Sequence, residues 1–445
     1  LISDSRVVSS KYTALAIVFQ FIIRVLEAYD ISIIGVMLPI LSVVFLPSKI
    51  SPLIASLSIL VALTVTLLFR PVGGMVLGHF ADKGGRRRIM IVSIISLAAF
   101  TVLPAFLPSY SQVGLISFYA FLIMRMFTGF FIGGEYASGD PFAIEWTPAK
   151  WRGMVSGILD SSFAFGMVLV TAITLAFDKY FGLVAMKSWA WRGVFLTALV
   201  PLVIGFLALY LLKESPAYID VKKKGEVEKT PFFSLFKRPT VYTTLQVFLV
   251  SVGMFLMYFP FSSLETTILV SPPALLKYSV ALSIVTLVTL VSALFDLSSG
   301  IISQLFGRRR WGLILACMTA LTIIPAMYGF AYISKTSLFL GSVIGVYIAS
   351  FTLMQFGFIH AYFSERFKTS HRSSGYAFGQ LFGLFIAGFF TYYVDLLHEF
   401  MVPFEGNNVW ISVSIVILIG AVLFGTGMFL GPETKDVNIF DEGLA

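Results

Sequence analysis

The sequence predicts an all-α membrane protein, with twelve transmembrane helices in two pseudo-symmetric six-helix bundles. Three observations predict it. First, 58% of the 445 residues are hydrophobic and only 12% are charged, with a mean hydropathy of +0.92. A membrane-spanning helix needs about 20 mostly apolar residues, and apolar runs of that length follow one another with short loops between them. Second, one loop occurs twice. Gly78-His-Phe-Ala-Asp82-Lys-Gly-Gly85-Arg86-Arg87-Arg88 returns half a chain later as Gly300-Ile-Ile-Ser-Gln304-Leu-Phe-Gly307-Arg308-Arg309-Arg310. A repeat of such long period points to duplicated halves. Third, most of the 31 Lys and Arg fall in alternate loops, the asymmetry that orients membrane helices with their basic side inward.

The spans are expected at 12–42, 52–79, 87–108, 112–144, 153–177, 192–212, 240–268, 275–303, 309–332, 336–363, 373–396 and 408–430. The first follows Lys11 and carries Arg24, Glu27 and Asp30. The second ends in the first basic loop, with Arg70 near that end, and the third starts from it. The fourth holds Arg125 and Glu135 and leads into Glu145…Pro148…Arg152-Gly153. Gly153 and Gly157 open the fifth, which also carries Asp160; small residues four apart let helices approach closely in lipid. Glu214-Ser-Pro ends the sixth. The run Lys213 to Arg238, with Lys222, Lys223, Lys224, Glu226, Glu228 and Lys229, is the one long polar segment and reads as a cytoplasmic linker. The seventh span has Tyr258, Phe259 and Phe261, with Glu265 near its outer end. The eighth reaches the second basic loop just after Asp296. The ninth leaves that loop, and the tenth holds Gln355 and His360 before Glu365…Arg372. Gly375 and Gly379 open the eleventh, which carries Gln380, and Pro432-Glu-Thr-Lys435 ends the twelfth. The domains are then a bundle at 1–212, a linker at 213–239, a bundle at 240–431 and a tail at 432–445.

Composition excludes several classes. The single Cys317 rules out a disulfide within the chain and a thiolate metal cluster. No cleavable signal peptide is expected, because the first apolar run is too long and carries charges. The net charge of +8 fits the basic cytoplasmic side rather than a nucleic-acid partner. There is no HExxH, CxxC, P-loop or nucleophile-elbow pattern, so neither an enzyme nor an ATP-driven pump is expected.

Gly78 to Arg88 resembles the 2–3 loop signature of the major facilitator superfamily, with Phe80 in place of Leu and Gln304 in place of Asp in the second copy. Arg125-x-x-x-Gly129 resembles its fourth-helix Arg motif. Glu145…Arg152-Gly153, Glu214-Ser-Pro216 and Pro432-Glu-Thr-Lys435 resemble the sugar-porter and organic-ion branches. Glu27-Ala-Tyr-Asp30 is similar to the Asp-Ala/Gly-Tyr/Phe-Asp of proton-coupled anion carriers, with Glu27 where Asp is usual. Gly133-Gly-Glu135-Tyr136 and Arg152 to Asp160 resemble the sialate/lactate and metabolite:proton symporters. The resemblance implies the major facilitator fold, alternating access and no cofactor beyond a proton as coupling ion.

Charge at the centre of a spanning helix costs about 2.5–3.5 kcal/mol on insertion scales, so such residues generally serve a pathway. Arg24, Glu27 and Asp30 recur at i, i+3, i+6 and keep to one stripe of the first helix. Asp30 is the expected main proton site, with Glu27, Glu135 and Asp160 as further proton-coupling candidates. Arg125 is the expected partner of a substrate anion. Arg24, Tyr258, Gln355 and Gln380 are further substrate-binding candidates. Gly78, Asp82, Gly85, Arg86, Glu145, Arg152, Asp296, Gly300, Arg308, Glu365 and Arg372 form the expected cytoplasmic gate. The expected function is proton symport of a small organic anion, a monocarboxylate or acidic sugar, by a monomer in the plasma membrane with both termini cytoplasmic. Its partners are the anion, the proton and membrane lipid. Phosphate or a neutral sugar is the alternative cargo. A non-transporting sensor or a subunit of a membrane complex is the alternative of another class.

Overall fold

The computed structural model describes residues 10–47, 50, 52–405 and 408–440. Residues 1–9, Lys49 and the tail end 441–445, which entered the charge and domain expectations, lie outside the described residues. All regular structure among the described residues is helical. The helices group into two compact units. The first holds Leu1–Pro148, Ser162–Leu235 and Thr369–Ala377; the second holds Ala149–Ser161, Phe236–Lys368 and Phe378–Ala445. The units therefore follow the two sequence halves apart from two short segments, 149–161 and 369–377, each counted with the other half's helices.

In the first unit, α1 (Ser10–Val36) bends by 69° into a short helix, Leu38–Phe45. Pro39 accounts for the bend, since its ring has no N–H and clashes with the carbonyl four residues back. The α2 helix (Pro52–Gly84) stops where Gly85 adopts φ +104°, and α3 (Arg86–Val102) begins at once. The α4 helix (Ile116–Glu145) lies directly on α2 because glycines line the seam. A Cβ on Gly129 would sit 2.2 Å from the Thr66 carbonyl oxygen, and one on Gly133 would sit 2.0 Å from that of Arg70. At the far end from the basic loop, Phe45, stacked on Phe121 at 4.8 Å, and Trp191 seal an apolar core. The α5 helix (Arg152–Ala185) and α6 (Leu199–Leu211) follow.

The linker is ordered in two short helices. Pro216–Lys224 starts at the N-cap Ser215, which accepts from the Tyr218 N–H, and stops at the left-handed Gly225. Pro231–Ser234 follows.

The second unit repeats the plan with α7 (Thr240–Val270), α8 (Tyr278–Phe306), α9 (Arg308–Thr336), α10 (Leu338–Arg366), α11 (Thr369–Met401, including the segment counted with the first unit) and α12 (Val409–Leu430). The second basic loop breaks its helices in the same way, at Gly307 with φ +97°. The Gly153-x-x-x-Gly157 pair approaches α8 as closely as its spacing suggests: a Cβ on Gly153 would sit 2.5 Å from the Gly300 carbonyl oxygen, and one on Gly157 2.7 Å from that of Leu297.

Among the described residues ten helices are long and apolar enough to cross a membrane, and the bent first pair makes an eleventh. Of the expected sixth span, α6 forms 13 residues; the residues before it, to Leu196, are helical too and are set off from the helix that opens at Arg152 by non-helical backbone at Gly182, with φ +76°.

Candidate functional site

The deepest polar contact of the first unit joins α1 to α4. The Arg125 guanidinium donates to both Asp30 oxygens, Nη1 to Oδ1 at 2.8 Å and Nη2 to Oδ2 at 2.7 Å. Thr101 Oγ1 donates to Asp30 Oδ1 at 2.7 Å, and Arg125 Nε donates to Thr66 Oγ1 at 3.2 Å. Both charged side chains are fully buried. Two-pronged Arg–carboxylate pairs fix geometry as well as energy. Burial makes the pair costly to break, because either partner alone would be an uncompensated charge. The two groups are electrically neutral together.

About one to four turns toward the basic loop lies a second cluster. Arg24 pairs with Glu27 at 3.1 Å and covers the Tyr136 ring at 4.4 Å. Arg70, expected only near a helix end, reaches Glu27 at 3.6 Å. Gln20 Nε2 donates to Glu135 at 2.5 Å and to Asp140 at 2.8 Å. Asp140 also lies 3.9 Å from Arg24 and accepts from the Tyr376 hydroxyl at 2.7 Å. Three carboxylates thus face two guanidiniums. Fully ionised, the group carries one excess negative charge, and one proton removes it. Glu135 Oε2 and the adjacent amide's Gln20 Oε1 have no hydrogen-bond partner among the described residues.

The basic loops build a third layer, in two copies. In the first unit Asp82 accepts from the Ser373 N–H at 3.0 Å, the Ser374 N–H at 2.8 Å and the Ser374 hydroxyl at 2.8 Å. Arg86 reaches Asp82 at 3.3 Å and Glu145 at 2.9 Å, and donates to the Thr369 carbonyl at 2.6 Å. Glu145 also binds Arg372 and accepts from the Ser215 hydroxyl. In the second unit Arg308 forks onto Glu365 at 2.6 and 2.8 Å and donates to Gln304, which in turn accepts from the Gly153 N–H at 3.0 Å. Glu365 lies 3.6 Å from Arg152 and accepts from Thr434 at 2.7 Å.

Glu145 and Arg152, neighbours in sequence, each pair with a residue from the opposite half of the chain, Arg372 and Glu365 respectively. The two C-terminal motifs have matching jobs. Glu214 accepts from the Arg87 N–H at the start of α3 and from the N–H of its own neighbour Ser215, and Glu433 accepts from the N–H groups of Arg308 and Arg309 at the start of α9. A carboxylate suits a helix start because unpaired N–H groups point out of it. Burial pushes the Glu214 carboxyl up, against the pull of those N–H groups. Gly85 and Gly307 are required there. Both have positive φ, and a Cβ on either would fall within 2.4 Å of the capping carboxylate.

Asp296 is placed differently from expectation. It makes no ion pair with Arg308, which forks onto Glu365, and packs instead against α10, where a Cβ on Gly357 would sit 3.0 Å from its Oδ1. Gly300 marks the crossing of the segment 149–161 over α8, where a Cβ would meet the Gly153 carbonyl oxygen at 2.3 Å. Gly78 plays the matching part, with Ser373 and Ser374 atoms 3.3 Å from where its Cβ would be. Tyr258 packs against Phe356 at 5.3 Å and Phe259 at 5.7 Å. Gln355 donates to the Met254 and Thr352 carbonyls, and both Gln355 Oε1 and Gln380 Oε1 lack a partner among the described residues.

Comparison with known proteins agrees with this architecture. The family model described as "Sugar (and other) transporter" matches residues 15–233. The inner membrane metabolite transport protein YhjE of Escherichia coli is 25% identical over 350 residues, 75% of this chain and 76% of that protein. The proline/betaine transporter of Escherichia coli is 30% identical over 206 residues, 46% of this chain; the match spans only 41% of that transporter. Among solved structures, the major facilitator proton:xylose symporter XylE has a TM-score of 0.77 at 17% identity, covering 97% of this chain and 98% of that one.

The chain belongs to the major facilitator superfamily. It is a multi-pass membrane transporter of a sugar or other metabolite, and not an enzyme. Among the described residues of this superfamily member, no group of three or more His, Cys, Asp or Glu could hold a metal ion. Sequence reasoning missed Gln20, Asp140 and Tyr376. Asp140 lies inside the fourth expected span, five residues after Glu135 and just before Pro141. A carboxylate at that depth in an apolar run was a usable signal, since it calls for a partner.

Proposed function

We propose that this transporter is a proton symporter for a small solute that carries a carboxylate. It would act as a monomer in the cell membrane, with both termini in the cytoplasm. The reading rests on the buried, two-pronged Asp30–Arg125 pair. A substrate carboxylate that takes over the Arg125 donors leaves the Asp30 charge uncompensated. A proton on Asp30 then restores neutrality, so solute and proton load together. Glu27 and Glu135, in the cluster with one excess negative charge, carry the proton onward toward the cytoplasm. The second unit offers its own candidate solute contacts, an aromatic group around Tyr258 and the open amide oxygens of Gln355 and Gln380.

A carboxylate is common to monocarboxylates and to zwitterions of the kind named in the proline/betaine relative. Aromatic faces also attract ammonium groups, so both classes belong in the test. The side bearing the basic loops opens when Asp82 releases Ser373 and Ser374, and when the Glu145–Arg372 and Glu365–Arg152 pairs part.

The test is uptake into proteoliposomes under an inside-alkaline pH gradient, with labelled lactate, glycine betaine, proline, phosphate and xylose. Gradient-driven accumulation of one or more of the first three, lost in Asp30→Asn, is the expected result. Accumulation of phosphate or xylose alone would remove the carboxylate from the account. Absence of flux for every probe would favour a sensor or complex subunit.

A further inference from the structure

The second unit contains its own buried acid cluster, built from three elements. Asp160 comes from the segment 149–161, Asp296 from α8 and His360 from α10. His360 Nε2 lies 3.2 Å from Asp160 Oδ1, and a Cβ on Gly157, one turn before Asp160, would sit 2.7 Å from the carbonyl oxygen of Leu297, next to Asp296, and 3.5 Å from that of Gly357, one turn before His360. Asp296 and His360 are buried, at 3% and 0% exposure. Helix packing is close here too: a Cβ on Gly357 would sit 2.2 Å from the Asp296 carbonyl oxygen and 3.0 Å from its Oδ1.

A buried carboxyl that lacks a counter-ion takes up a proton rather than stay charged. The cluster differs here from the Asp30 site, where a guanidinium supplies both donors. Asp296 makes no ion pair with Lys or Arg among the described residues, and its Oδ1 has no hydrogen-bond partner there. From α7 comes Tyr258, packed on Phe356 of α10 at 5.3 Å, with Glu265 farther along that helix. Arg152 in the segment 149–161 and Arg308 at the start of α9 are both turned to Glu365. With one carboxyl protonated, the other ionised and His360 charged, the group is neutral. It is neutral again with both carboxyls protonated and the imidazole uncharged. Each of these states holds two protons, and His360 can pass one to Asp160 between them.

We propose that Asp160, Asp296 and His360 form a second proton-binding site, separate from Asp30, that loads and releases a proton in each transport cycle. The site is testable without any solute, so its fate is independent of the cargo proposed above. Purified wild-type protein in lipid is titrated from acid to alkaline pH while infrared difference spectra are recorded in water and heavy water. The expected result is a titrating protonated-carboxyl band, shifted in heavy water, that Asp296→Asn removes and Asp30→Asn leaves in place. Asp296→Glu should restore it. His360→Gln should keep the band and move its midpoint, which a purely structural residue would not do. If Asp296→Asn fails to fold, Asp160→Asn gives the same readout from the other carboxyl. A band unchanged in both amide variants, or the loss of all titrating signal in Asp30→Asn, would overturn the proposal.

Discussion

Replacing Asp82 with Asn should loosen the segment 369–377 without altering the shape of the side chain. Asp82 takes three hydrogen bonds from Ser373 and Ser374, two of them on Oδ2 from the N–H and hydroxyl of Ser374. An amide can offer only one oxygen, so its NH2 group must face a backbone N–H. The change also removes the charge beside Arg86, 3.3 Å away. A hydrogen bond to a charged group contributes about 1.5–3 kcal/mol net. Losing one such bond, about 2 kcal/mol, shifts the balance between packed and released segment by roughly 30-fold, at about 1.4 kcal/mol per factor of ten. The assay uses a single cysteine at position 373. Ser373 is buried and its Oγ has no hydrogen-bond partner among the described residues, so Ser373→Cys keeps the backbone donor that Asp82 needs. Cys317, which is exposed, is replaced by Ala. When opening is fast relative to labelling, alkylation by a water-soluble maleimide tracks the released population. Asp82→Asn should speed labelling by one to two orders of magnitude. A rate within about threefold of the parent would refute the reasoning that Asp82 holds this segment.

Four further outcomes follow from packing and charge. Gly133→Ala places a methyl 2.0 Å from the Arg70 carbonyl oxygen, and overpacking of this kind costs about 1–3 kcal/mol or more; the unfolding temperature in detergent should fall. Gly35→Ala meets nothing within 4 Å and should match or exceed the parent in the same assay, since Ala favours helix by about 1 kcal/mol. Arg308→Lys keeps the charge but not the fork onto Glu365 and Gln304, so it should lower the unfolding temperature, whereas an unchanged value would show that charge alone suffices there. Asp30→Asn leaves Arg125 buried without its counter-ion, a loss of about 3–5 kcal/mol, and adding Arg125→Gln should recover part of it by thermal melts.

Much of the helical plan was legible because it depends on local composition. Long apolar runs, the basic loops and the positive-φ glycines at 85 and 307 are short-range signals. The repeat also exposed the matched layers of the site, since Arg86 with Glu145 and Arg308 with Glu365 occupy corresponding places. Partner choice was not legible. That Glu145 meets Arg372 and Arg152 meets Glu365 depends on which helix ends pack together, across more than two hundred residues of sequence. The same is true of Asp296, whose nearness to the basic loop in sequence hid its packing against Gly357 of α10. Asp140 and Tyr376 gave no periodic signal at all, because their bond joins two helix ends that only tertiary packing brings together.

The central claim is that solute and proton enter together through the Asp30–Arg125 pair. Proteoliposomes carrying an internal pH dye, with no imposed gradient, test it most directly. Each of lactate, glycine betaine and proline is added outside. The account predicts that the transported solute acidifies the interior of wild-type vesicles. Asp30→Asn should abolish the acidification while still exchanging labelled solute across the membrane. Solute entry without acidification in the wild type, or equal acidification in Asp30→Asn, would contradict it.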